Sequence, residues 1–126
     1  MGNSSVGTLA YGYNIGGEDV GWKIEGADEF GSYQFPMLED NDTFLEWARD
    51  VLNRIGSEVV IVQYGTYEFP GFILATRIHK AYDFGAKAVN IDIDHHAAGE
   101  LDRALEALKI VPKQVEPKWI LASIYG

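Results

Sequence analysis

The stretch Glu58-Val59-Val60-Ile61-Val62-Gln63-Tyr64 limits the fold more than any other part of the chain. Side chains alternate sides along a strand, so a run that is apolar at successive positions is apolar on both faces and must be covered on both. It predicts a strand in a central position of a sheet, with helices on one side and another layer on the other. The helices follow from the 3.6-residue period. Phe44, Trp47, Ala48, Val51, Leu52 and Ile55 recur at helical spacing, Thr43 with Glu46 forms a capping box, Asp42 is an alternative cap, and Gly56 follows the last apolar position. A second helix is predicted from about residue 97 to 109, with Ala97, Leu101, Ala104, Leu105 and Leu108 on one stripe.

Strand patterns fill the rest. Residues 8–15 (TLAYGYNI) are rich in β-forming side chains, and the turn signal GGED leads to residues 21–25, read as a short hairpin strand. Residues 26–41 read as a loop packed on the core. Residues 72–82 and 87–94 read as an antiparallel pair joined at 83–86, and residues 119–125 as a closing strand after an exit bracketed by Pro112 and Pro117. The series strand, helix, strand, strand, helix, strand defines an α+β domain: two helices on one face of a mainly antiparallel sheet, a ferredoxin-like sandwich with an extra N-terminal hairpin. At 126 residues the chain is one domain, 1–126, with residues 1–7 expected outside its ordered part.

Composition excludes several classes of function. There is no cysteine, which removes disulfides, thiolate metal sites and a cysteine nucleophile. No apolar run is long enough to span a bilayer and the first residues lack the pattern of a signal peptide, so a cytoplasmic protein without membrane contact is expected. Of the net charge of −9, minus eight falls in residues 1–50, where ten acidic side chains face only Lys23 and Arg49. Such a surface repels phosphate backbones and favours a partner with a basic surface over nucleic acid.

The stretch Asp92-Ile93-Asp94-His95-His96 is the one candidate metal site. If the strand of residues 87–94 stays extended two residues further, Asp92, Asp94 and His96 share one face, a row of hard and borderline ligands suited to manganese, zinc or iron. Without a metal, the same residues read as a solvated strand end, an N-cap at Asp94 and two histidines in the first turn of a helix. The triplet Asp94-His95-His96 resembles the name motif of the DHH phosphoesterases, in which an apolar strand ends in that tripeptide and ligates manganese. The upstream aspartate motifs of those enzymes have no equivalent in residues 1–90.

A second candidate is aromatic. Tyr11, Tyr13, Trp22, Tyr33 and Phe35, interleaved with glycines, are suited to a contact surface or a flat-walled pocket, with Asp40 and Asp42 beside them supplying negative charge. Packing of the same rings over the sheet is the alternative. A pocket for a nucleotide-like ligand would draw its phosphate donors from Lys23, Arg77 and Lys80.

Over most of its length the chain also resembles small uncharacterised proteins of actinobacteria-infecting phages. The likeness lies in LAYGYNIGG, in Arg54-Ile55-Gly56 before Glu58-Val59-Val60, and in the ending LKIVP followed by PKWILAS. The resemblance implies work in the host cytoplasm, by binding a host protein or sequestering a signalling molecule used in defence. The expected function is therefore that of a non-enzymatic phage-type accessory protein, without a cofactor, that binds a host protein through its acidic, aromatic surface. A homo-oligomer is compatible with this. The alternatives are a manganese- or zinc-dependent phosphoesterase and a sequestering protein for a nucleotide-like signal.

Overall fold

Strong strand formers alternating with small residues set the first element. In the computed structural model, which describes residues 5–16, 21–26, 41–66, 70–82, 85–92 and 95–125, they form the long strand β1 (Ser5–Gly16). There follow β2 (Trp22–Ile24), α1 (Asn41–Arg54), β3 (Val60–Gly65), β4 (Pro70–Ala81), α2 (His95–Leu108), β5 (Ile110–Pro112) and β6 (Lys118–Tyr125). The class is α+β. Because β1 begins at Ser5, residues 5–7 belong to the sheet, contrary to the expectation that residues 1–7 lie outside it.

The main sheet has the order β6-β1-β4-β3, each neighbour antiparallel, and a single parallel bridge, Gly65 to Ile124, joins β3 to β6 and closes it. That closure departs from an open ferredoxin-like sandwich. The central strands are β1 and β4. The segment at 58–64 is not central: β3 has a ladder only with β4, and Val60 is 44 % exposed. Its two-sided apolar character has another cause, since Val59 and Ile61 face the helices while Val62 enters the opposite face of a sheet curled onto itself.

Both helices pack on one face. Phe44, Leu45, Ala48 and Leu52 of α1 and Ala97, Leu101, Ala104 and Leu108 of α2 form one core with Tyr11, Tyr13, Ile61, Phe72 and Leu74 of the sheet. The opposite face is filled by Ala10, Val62, Ile73 and Ala75, with Tyr64, Ile78, Ile120 and Ala122 against them. Small residues are needed there because a curled sheet brings its strands together on the inside. Gly12 is the extreme case, since a Cβ at that position would stand 2.0 Å from the Leu74 carbonyl oxygen. Two register shifts sharpen the curl. Leu9 pairs with His79 but Tyr11 with Thr76, so β4 carries an extra residue, absorbed at Arg77 with φ 54°.

Helix ends follow local rules. Gly56, at φ 65°, donates to the Asn53 carbonyl and Ser57 donates to that of Leu52, a Schellman closure of α1. The second helix ends on Lys109 at φ 57°, from which the chain turns directly into β5.

Three expectations are corrected. Residues 21–25 do not pair back on β1; β2 pairs with β5, Trp22 opposite Pro112 and Ile24 opposite Ile110. That leaves β5 as an element the sequence reading had taken for an exit loop. Residues 85–92 form no strand: Lys87 and Val89 lie beside Leu9, His79 and Leu121 over the face of the sheet, and the β3 ladder on β4 covers only Pro70 to Ala75.

Two glycines should respond in opposite directions to alanine. Gly12→Ala forces backbone apart and should destabilise by about 3 kcal/mol or more. Gly99→Ala, on α2 with nothing within 4 Å of the new Cβ, should stabilise by about 0.5–1 kcal/mol. Urea unfolding of both variants checks the pair.

Candidate functional site

The aromatic residues are placed by strand parity. Tyr11 and Tyr13 fall on the face of β1 that meets the helices, and Trp22 on β2 joins them; all three are buried in the core. Tyr11 packs on Trp119 with ring centroids 5.4 Å apart, and Trp22 packs on Phe44 at 5.7 Å. They are therefore core and not contact anchors, a correction whose physical reason is that the helix-facing side of the sheet has to be filled. Tyr33, Phe35 and Asp40 lie outside the described residues, and Asp42 stands in the first turn of α1. Burial pushes the Tyr13 phenol above its ordinary value, and the negative charge of Asp102, Tyr11 and Glu116 adds to the effect.

The row Asp92, Asp94, His96 depended on an extended chain. The helix begins at His95, so His96 belongs to a helical turn, and its Nε2 stands 3.8 Å from Oε1 of Glu100, which also pairs with Arg103. Asp92 is exposed, its backbone N–H donating to the Asn90 side chain at 3.2 Å, and Asp94 lies outside the described residues. Among the described residues no three histidine or carboxylate side chains gather as a metal would require.

A different site emerges where the helices stop short. Cross-strand rows on the helix-facing side run Thr76–Tyr11–Trp119 and then His79–Leu9–Leu121. The helix-packed core includes Tyr11 and is flanked by Trp119, but it does not include the second row. Leu9 and His79 are half-buried and Leu121 is 80 % exposed. Val89 rises at one side, and these residues enclose an open cleft of about 210 Å³ with Lys80 and Lys87 at its margin. His79 lies against Trp119 with centroids 6.0 Å apart and planes 26° off parallel. The indole N–H of Trp119 is buried with no acceptor among the described residues.

Sequence reasoning missed this cleft. The alternation of WILASIY puts Trp119 and Leu121 on the same face, but nothing in the sequence says that helical cover ends between them.

Comparison of the chain with models of known families, with curated proteins and with solved structures finds no match. Among the described residues no helix is long and apolar enough to cross a membrane.

Two outcomes follow. The Tyr13 phenol gives up its proton less readily folded than unfolded, so its contribution to stability is complete below about pH 10 and is lost as pH rises through the raised folded value. Tyr13→Phe should blunt the loss of stability above pH 10 in an alkaline unfolding series. Leu121→Asp, at an exposed position, should change stability by no more than about 0.5 kcal/mol, against about 2–5 kcal/mol for the buried Leu74→Ala, both measured by thermal unfolding.

Proposed function

We propose that the protein is a non-enzymatic binding protein that works by direct contact with another protein, in the phage-type accessory role its sequence resemblance implies. The contact is made at the Leu9–Val89–Leu121 cleft and not through the aromatic N-terminal half. The observation that carries this reading is Leu121, a large apolar side chain 80 % exposed beside half-buried apolar neighbours and out of reach of the helices. An isolated exposed leucine needs no explanation; one that forms the wall of a concave apolar cleft marks a contact site.

Size separates the readings. Pockets that enclose a small-molecule ligand usually measure about 300–1,000 Å³, and this cleft, at about 210 Å³ and open to solvent, suits one or two anchoring side chains of a partner better than a whole nucleotide. Anchors of this kind carry most of the energy of a protein interface. The sequestering alternative is weakened further because Arg77, one of its expected phosphate donors, stands 4.0 Å from the Glu58 carboxylate, and Lys23 lies on β2 in the separate small sheet. The phosphoesterase alternative needed Asp92 and His96 on one extended face, which the start of α2 at His95 interrupts.

A photo-crosslinking side chain placed at residue 121, with a second protein carrying it at the 93 %-exposed Val115 as control, tests the reading in lysate of an actinobacterial host. Protein adducts are expected at 121 and not at 115. Equal labelling at both positions, no adduct at 121, or a nucleotide retained on the protein in native mass spectrometry would overturn it.

A further inference from the structure

The described residues that line the cleft carry a charge opposite to the net charge of the chain. The sequence holds 19 acidic and 10 basic side chains, yet the described residues that line the cleft include Lys80, Lys87 and His79 and no carboxylate. Among the described residues neither lysine takes part in an ion pair. Both are exposed, with their ammonium groups available at the margin of walls made by Leu9, Val89 and Leu121.

Resting on the protein-contact reading above, we propose that the segment received by this cleft is acidic: a stretch of partner chain that presents one bulky apolar side chain flanked by Asp or Glu. The apolar residue enters between Leu9, Val89 and Leu121, and the flanking carboxylates meet Lys80 and Lys87, with a His79 ring N–H as a further donor. This reverses the basic partner that the net charge alone suggests. The charges at the cleft itself decide between the two. At physiological salt the field of an exposed charge is screened over about 8 Å, so charges remote from the cleft act on the speed of approach, whereas the lysines at its margin act on the bound state. A basic segment in the same place would set like charges against Lys80 and Lys87 and leave the apolar anchor without favourable flanks.

Three short synthetic peptides test the assignment: one with a central phenylalanine flanked by aspartates, one with lysines in place of the aspartates, and one with alanine in place of the phenylalanine. Binding is read from amide shifts of the intact 15N-labelled protein. The acidic phenylalanine peptide should move the amides of Leu9, Val89 and Leu121, and should bind about tenfold or more tightly than the lysine peptide, the scale of two exposed ion pairs made or reversed. The alanine peptide should lose most of the effect. In the double variant Lys80→Glu, Lys87→Glu, which alters only exposed positions, the ranking of the first two peptides should invert. Adenosine monophosphate should leave these amides unmoved.

Preference for the lysine peptide at the same amides would overturn the acidic assignment while leaving the cleft a contact site. If no peptide moves these amides, the acidic assignment fails as well, and absence of adducts at residue 121 would bring down the contact reading with it. Shifts produced by adenosine monophosphate, or a monomer–dimer equilibrium abolished by Leu121→Asp in sedimentation, would give the cleft to a nucleotide or to a second copy of the chain and would equally overturn the proposal.

Discussion

Everything in this molecule depends on β1 being hydrogen-bonded along both edges. It pairs with β4 from Gly7 to Gly16 and with β6 from Ser5 to Gly12, so one strand near the N-terminus holds strands from the middle and the end of the sequence. The requirement is steric as much as hydrogen-bonded. Gly12 lets the β4 backbone close to a distance that no side chain permits, and Ala10, Ala75 and Ala122 keep the inner side narrow enough for the sheet to curl. The surface on which both helices bury their apolar stripes is built by this non-local pairing.

The same geometry explains why the aromatic residues of β1 end in the core. A sheet face that receives two short helices needs bulk, and Tyr11, Tyr13 and Phe72 supply it, with Phe44 of α1 and Trp22 of β2 in the same core. Of the rings that look suited to recognition when read in order along the chain, Tyr11, Tyr13 and Trp22 are taken up by packing. Just beyond the helices, Leu9 and Leu121 continue the apolar surface outside the helix-packed core, and the described residues at the margin are basic and not acidic. The second helix is not continued past Leu108, because the chain turns at Lys109 into the small β2–β5 sheet.

How much of this could be read from the residues differs by element. Both helices were legible, because their apolar periods are strong and Gly56 marks an end with its own hydrogen-bonding chemistry. The long strands at 8–15, 72–82 and 119–125 were legible from β-forming residues, and the structure has them as β1, β4 and β6. Partner choice was not legible. Residues 87–94 have the composition of a strand, yet nothing local shows that 85–92 lie over the sheet face beside Leu9 and Leu121 without a ladder; likewise nothing local tells Trp22-Lys23-Ile24 to seek Ile110-Val111-Pro112 instead of β1. The candidate residues suffered from the same gap. The reading of Asp92 and His96 as neighbours assumed one backbone period through position 96, and the period changes at His95. Lys80 stood among the expected donors and does line the cleft, but its companions Lys87, Val89 and Leu121 come from segments whose meeting only the tertiary structure specifies.

The closure between β3 and β6 rests on one bridge, Gly65 to Ile124, whereas the other three strand junctions are ladders. A ring joined this way has a seam. Parting it breaks fewer backbone hydrogen bonds than parting any of the ladders, and what resists is the inner packing of Val62 and Tyr64 with Ile120 and Ala122. Backbone amides along the seam accordingly trade hydrogen with solvent sooner than those of the β1–β4 ladder. The parted edges are templates for another strand, which makes the seam the place where overcrowded or partly unfolded molecules join edge to edge.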